Sequence, residues 1–317
     1  MTRVKPWAVG LFSASVVFIG GLMGWSRLST PNPSTPQPHV SVAMSTTAAA
    51  PVDSVVQVVP VASASVAANV EPVPEKPVVR CPREPLVEIP HREIPANDKE
   101  LFQVLQENPR ALGSASIGAP TRGSLFGGVE LPESEAIKHE GGYAWGTELV
   151  VRSIERAVRE VRRCFANTPI LRVGDISRNK GGWLKPHRSH QSGIDADIGY
   201  FYRVPAGWYE KATAGNLDLP RTWALVRAFI EGGNVDTIFI DLTIQRILQE
   251  YVGKLPKDEQ PPEQWFQSPL KKDTAIRHAW GHITHFHVRF RDPEAVALGT
   301  RIRDLVPRLQ KAKPKRR

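Results

Sequence analysis

Two short runs constrain this chain more than anything else in it. In Gly193-Ile194-Asp195-Ala196-Asp197-Ile198-Gly199-Tyr200, small or apolar residues alternate with carboxylates. A period of two is the signature of a half-buried strand, because successive side chains point to opposite faces. Asp195, Asp197 and Gly199 then share one face, and Ile194, Ala196 and Ile198 the other. In His285-Phe286-His287-Val288-Arg289-Phe290 the same alternation puts His285, His287 and Arg289 on one side, with Phe286, Val288 and Phe290 toward a core. The two strands can lie side by side in an antiparallel sheet, joining their polar faces. The stretch Pro186 to Gly193 reads as a loop entering the first strand, with Gly193 as its turn residue.

A lone histidine in a strand is usually a satisfied polar group or a surface residue. Here, of nine histidines, five (His187, His190, His282, His285 and His287) fall in two short segments. That clustering, with Asp197 on the same face, outweighs the bland reading. Two histidines and a carboxylate make the ligand set of a catalytic zinc site, three protein donors with a fourth position for water. Asp195 reads as a supporting carboxylate that orients a neighbouring histidine or loop backbone.

Ser189-His190-Gln191-Ser192-Gly193-Ile194-Asp195-Ala196-Asp197, followed by His282-Ile283-Thr284-His285-Phe286-His287-Val288-Arg289, resembles the penicillin-insensitive murein endopeptidases, within the zinc peptidases that include lysostaphin-type and D-Ala-D-Ala-cleaving enzymes. The likeness extends through Ser116–Leu125, Val173–Ser177 and Val235–Ile240, so it runs from about Ser114 to Arg291. It implies His190, Asp197 and His287 as zinc ligands and His285 as a catalytic group beside the metal. It also implies cleavage of D-alanyl-meso-diaminopimelyl bonds without an acyl-enzyme serine. His187 matches a family histidine that completes or extends the metal site. Asp218 resembles another metal-proximal carboxylate, yet Asp218-Leu219-Pro220 before Arg221-Thr222-Trp223 reads better as a helix start.

One departure matters. Dipeptidase and carboxypeptidase relatives carry a glutamate three residues before the last ligand, where this chain has Thr284. A carboxylate base is therefore not expected there, and histidine takes that role. His285 and His282 are the candidates; neutral imidazoles of ordinary pKa near 6.5 can accept, hold or return a proton. The sequence leaves the division between them open. It also leaves two rivals: a D,D-carboxypeptidase acting on stem peptides, and a noncatalytic peptidoglycan-binding protein whose structural zinc is closed by His187.

Trp7 to Trp25 is nineteen residues without a charge, after Arg3 and Lys5. At ~1.5 Å per residue this spans ~28 Å, enough to cross a bilayer, with the N-terminus on the cytoplasmic side. Residues 1–28 are expected to be a membrane anchor or signal segment. No cleavage pattern lies close behind, since Ala62-Ser63-Ala64 is far downstream, so retention in the inner membrane is the expectation. Residues 29–80, rich in Pro, Ala, Ser, Thr and Val, read as a disordered linker. Fifty such residues reach ~35–40 Å, which would let a periplasmic enzyme touch the wall above its anchor. Residues 81–310 suit one zinc peptidase domain, and 311–317 a basic tail.

Helices are expected at Thr147–Phe165, where Val150, Ile154, Val158 and Val161 recur at helical spacing, and at Pro220–Glu231, ended by Gly232-Gly233. Strands are expected at 171–176, 194–202, 235–240 and 285–290. The fold class is therefore α+β, with a mainly antiparallel sheet carrying the zinc site between flanking helices. The loop 254–272 is expected to rim the cleft. Cys81 and Cys164, the only cysteines, could pair in an oxidising periplasm or leave Cys164 as a buried thiol. The net charge of +9 favours anionic wall polymers or membrane surfaces. An exported chain without a phosphate-cradling Gly-rich motif excludes nucleic acid as a partner. Oligomeric state is not legible.

Overall fold

A computed structural model of the chain describes residues 82–268 and 273–312. The anchor, the linker, Cys81 and residues 313–317 of the basic tail lie outside these residues. Among the described residues no helix is long and apolar enough to cross a membrane.

The elements begin with α1 (Asp98–Glu107), the hairpin β1 (Ala115–Ala119) and β2 (Arg122–Phe126), and the short strands β3 (Val129–Glu130), β4 (Ile137–His139) and β5 (Trp145–Gly146). Then come α2 (Glu148–Cys164), β6 (Leu171–Val173), β7 (Asp195–Gly199), α3 (Leu219–Glu231), β8 (Val235–Ile240) and α4 (Leu242–Gly253). The chain closes with β9 (Ile276–His278), β10 (His285–Phe290), α5 (Pro293–Ile302) and α6 (Val306–Lys311).

Six strands form one sheet in the order β4-β6-β7-β10-β8-β9. Its centre is antiparallel, as the alternation implies, but the outer pairs β4/β6 and β8/β9 are parallel. The expectation of a mainly antiparallel sheet is thus corrected to a mixed one. The cause is connectivity: α2 lies in the crossover from β4 to β6 and α4 in that from β8 to β9, and parallel neighbours require such crossovers.

The apolar face of the sheet is the floor of the main core. Ala196, Ile198, Phe286, Val288 and Ile238 are fully buried there with Val150, Ile154 and Val161 of α2 and Leu225 and Val226 of α3. Phe229 of α3 meets Phe286 and Phe290 edge to face. Each such side chain contributes ~1.5–3 kcal/mol on burial. Helix ends fall where the sequence puts them. Thr147 caps α2 onto the Val150 N–H, and Asp218 caps α3 onto the Arg221 N–H at 3.1 Å. Asp218 also pairs with the Arg221 guanidinium at 2.6 Å, so its place is that of a helix cap.

α1, β1, α5 and α6 share a second, smaller core around Leu101, Ala115, Leu298 and Ile302. Cys164, the last residue of α2, is disulfide-bonded. The segment before α1 is held to the main core by charge. Arg156 of α2, 3 % exposed, pairs with Glu160 at 2.9 Å and donates to the carbonyls of Glu84, Pro85 and Ala228. Glu84 in turn faces Arg163 at 2.6 Å. The described part of the 254–272 loop does not rim the polar strand face as expected. It packs on α3 and α4: Trp265 lies against Trp223, and Gln260 donates to the carbonyls of Gly253 and Leu255.

Candidate metal centre

β7 and β10 are paired so that His287 lies opposite Asp197, Arg289 opposite Asp195 and His285 opposite Gly199. The polar faces of the two strands therefore merge into one. A third contribution comes from the long β6–β7 connection. Gly182 donates to the Gln191 carbonyl and Thr147 to the Gly193 carbonyl, while Gln191 donates to the Pro120 carbonyl. The loop tightens through Gly193 at φ +76°, where a Cβ would sit 2.8 Å from Leu125. His190 itself takes a left-handed backbone, φ +65°. That conformation costs a non-glycine residue on the order of 1–3 kcal/mol and is tolerated where the surroundings enforce it. Asp195 is the enforcer, accepting the His190 N–H at 3.1 Å.

The result is a triangle of donor atoms. His190 Nε2 lies 3.1 Å from His287 Nδ1 and 3.3 Å from Asp197 Oδ1, and His287 Nδ1 lies 3.1 Å from the same oxygen. An ion bound tetrahedrally at ~2.0–2.2 Å spaces its ligand atoms about 3.3–3.6 Å apart, so the triangle is within a few tenths of an ångström of that size. The ring nitrogens facing away have different surroundings. His190 Nδ1 meets the Ile176 carbonyl at 3.0 Å; a carbonyl only accepts, so that nitrogen carries the proton and Nε2 presents its lone pair. His287 Nε2 lies 3.1 Å from Asp195 Oδ1 as a charge contact without hydrogen-bond geometry, while its Nδ1 faces Asp197. Asp195 is locked by Arg289, whose Nε donates to Oδ1 at 2.8 Å, and Arg289 lies over the Phe239 ring. Asp195 thus holds the loop backbone by a hydrogen bond and lies against His287 by charge. The donor set fits zinc.

The electrostatics agree with a cation at this point. Burial alone would raise the Asp197 carboxyl, but the His190 and His287 rings hold it well below the usual carboxylate range. Burial likewise disfavours a charged His287, yet hydrogen bonds and charge from Asp195 and Asp197 push its ring up to about 9. Positive charge is drawn to the triangle.

Three more histidines surround Asp197. His187, half-buried, meets Asp175 Oδ2 at 3.0 Å through Nε2 and approaches Asp197 Oδ2 to 3.6 Å through Nδ1. It also forms a donor cluster with His190 and Asp197. The Asp175 hydrogen bond, against burial, raises its pKa. His285 Nε2 is 3.8 Å from Asp197 Oδ2. Its Nδ1 meets the Thr284 hydroxyl at 2.9 Å and its ring stacks on Trp208, 5.4 Å between centroids. Burial brings His285 down to about 4 and lowers His282 as well. Both are neutral bases near pH 7, half-buried beside the triangle.

All six site residues expected from the sequence, His187, His190, Asp197, His282, His285 and His287, thus converge. Asp175 and Trp208 were not singled out for roles. Asp175 ends the segment Val173-Gly174-Asp175, a carboxylate just past a strand, which is a usable signal. Trp208 sits in an irregular loop with no pattern that marks it.

Residues 116–217 match the family model described as penicillin-insensitive murein endopeptidase. That segment holds His187, His190 and Asp197; β10 lies beyond it. Among curated proteins the chain is 29% identical over 210 residues to the penicillin-insensitive murein endopeptidase of Haemophilus influenzae, covering 58% of this chain and 66% of the relative. It is 26% identical over 208 residues to that of Pectobacterium atrosepticum, covering 59% and 68%. The corresponding protein of Yersinia pestis is 24% identical over 208 residues, covering 59% and 69%. The chain spans about two thirds of the length of these relatives. With its loop histidines and Asp197 inside the matched segment, the chain resembles the penicillin-insensitive murein endopeptidase family over residues 116–217.

Proposed function

We propose that this chain is a zinc-dependent murein endopeptidase that hydrolyses peptide cross-links in peptidoglycan, of the D-alanyl-meso-diaminopimelyl type. The observation that carries the reading is the triangle of His190 Nε2, His287 Nδ1 and Asp197 Oδ1, with neutral His285 and His282 on its open side. His190, Asp197 and His287 hold the ion, and Asp195 with Arg289 keeps them aligned. A zinc ion in that place supplies Lewis acidity and brings the pKa of a water toward ~7. His285 Nε2 accepts and returns the proton that moves during cleavage. Thr284 and Trp208 fix its ring, so the base does not need the glutamate found at the Thr284 position in carboxypeptidase relatives. His282 stands beside His285, 5.2 Å between centroids, as a second neutral imidazole that can take a proton. His187, oriented by Asp175, steadies the outer oxygen of Asp197.

The domain works in the periplasm, on a linker over residues 29–80 and an inner-membrane anchor within residues 1–28. The test uses purified protein and cross-linked muropeptide dimers, with and without chelator, read by chromatography of the products. Conversion to monomers that stops with chelator and returns with zinc is the expected result. Dimers left intact with zinc bound would replace the endopeptidase by a wall-binding protein whose metal is structural. Release of terminal D-alanine from monomeric stems, without dimer cleavage, would make it a D,D-carboxypeptidase.

A further inference from the structure

Asp197 is used on only one side by the triangle. Oδ1 faces His190 and His287, while Oδ2 faces outward, 3.8 Å from His285 Nε2. One donor atom each from Asp197, His282 and His285 lies within 4.8 Å of the others. The rings are set for coordination. His282 Nδ1 lies 3.0 Å from the Trp280 carbonyl, which only accepts, so the proton is on Nδ1 and Nε2 is bare. His285 Nδ1 is taken by the Thr284 hydroxyl at 2.9 Å, leaving Nε2 as its free donor.

We propose that Asp197 Oδ2, His285 and His282 form a second divalent-cation site, weaker than the first and bridged to it by the Asp197 carboxylate. The donor set, two imidazoles and one carboxylate oxygen, suits zinc as well as the inner set does. Its weakness follows from its surroundings. His282 and His285 are partly exposed, and they are backed by a carbonyl and a hydroxyl. The inner histidines have the Ile176 carbonyl and the Asp195–Arg289 pair behind them, and a carboxylate behind a ligating histidine raises its basicity. Two ions sharing one carboxylate would sit on the order of 4 Å apart, a common spacing for paired metals.

The consequence for turnover rests on the endopeptidase reading; the binding itself does not. An ion on the outer site takes the Nε2 lone pairs that His285 and His282 need for proton handling. Zinc is then both activator and brake, the first equivalent switching the protein on and the second switching it off.

The test is zinc uptake by the metal-stripped full chain in equilibrium dialysis, read as zinc per chain. The wild type is expected to take up two equivalents in two steps. His282→Ala is expected to lose only the weaker one, and Asp197→Ala both. Cross-linked dimer hydrolysis by the wild type should rise through the first step and fall by about 10²-fold through the second, the size of a general acid–base contribution. Uptake of a single equivalent overturns the outer site and leaves the endopeptidase reading standing; uptake of none overturns both. A second equivalent that survives in His282→Ala but disappears in His187→Ala overturns the assignment, because His187 reaches the same oxygen at 3.6 Å.

Discussion

The inner and outer histidines of this site are the same side chain put to opposite uses. His190 and His287 are buried, and each has its far ring nitrogen set against a fixed acceptor. His282 and His285 lie on the same wall but nearer the opening, held by a carbonyl, a hydroxyl and an indole face. Position in the sheet decides the difference. Residue 287 lies opposite Asp197, and its outer nitrogen is backed by Asp195 on the same strand, whereas residue 285 lies opposite Gly199, which offers no carboxylate. Histidine beside carboxylates draws positive charge, as His287 does, whereas His285, beside glycine and tryptophan, is held neutral by burial.

Breaking the inner set should have the largest effect. His190→Ala or Asp197→Ala should abolish zinc retention and hydrolysis together, as measured by metal content and by dimer cleavage. Removing the outer base separates the two quantities. His285→Ala should lower kcat by about 10²–10⁴-fold with one zinc still retained, and loss of that zinc would erase the inner–outer distinction. The supporting carboxylate comes next. Asp195→Asn should weaken zinc binding by about 10–100-fold, seen in competition with a chelating dye, while kcat at saturating zinc changes less.

Thr284→Val should have the smallest effect. It removes one hydrogen bond of ~1 kcal/mol, about fivefold in kcat, with KM unchanged and with Thr284→Ser restoring it. The charge state of His287 gives a pH test of the same contrast. Its ring is protonated below about 9 when no metal is bound, so an incoming ion must displace that proton. Apparent affinity should therefore rise with pH by about tenfold per unit until pH 9, and calorimetry in buffers of different ionisation enthalpy should read about one proton released.

Much of this contrast is legible in the chain. Alternation in 285–290 marks strand and face together, and β10 spans those residues. The 194–202 run is also a strand, trimmed to Asp195–Gly199. Helix signals at 147–165 and 220–231 succeed because Thr147 and Asp218 cap where such residues should. What escapes the sequence depends on contacts far apart in it. Trp208 matters through a ring 77 positions later, and no local pattern announces such a stack. The parallel outer strands escape for a related reason: β4, β6 and β9 are three residues each, too short to show a period. α1 and α5 pack in a separate small core whose existence only the folded chain reveals.

The Arg156 clamp has a mechanical meaning. Glu84 and Pro85 are fastened by a buried guanidinium to the middle of α2, and the same guanidinium reaches the Ala228 carbonyl of α3. Tension arriving along the backbone at residue 82 is then received by two core helices at once. Those helices cover the apolar face of the sheet, and the candidate metal centre is on the other. To peel the segment away, a pull must break the Arg156 bonds to the Glu84 and Pro85 carbonyls and the Glu84 N–H bond to Glu160, each hydrogen bond to a charged group being worth about 1.5–3 kcal/mol. A chain with the proposed wall-cutting activity can thus be tugged from its N-terminal side while the polar face of its sheet keeps its shape.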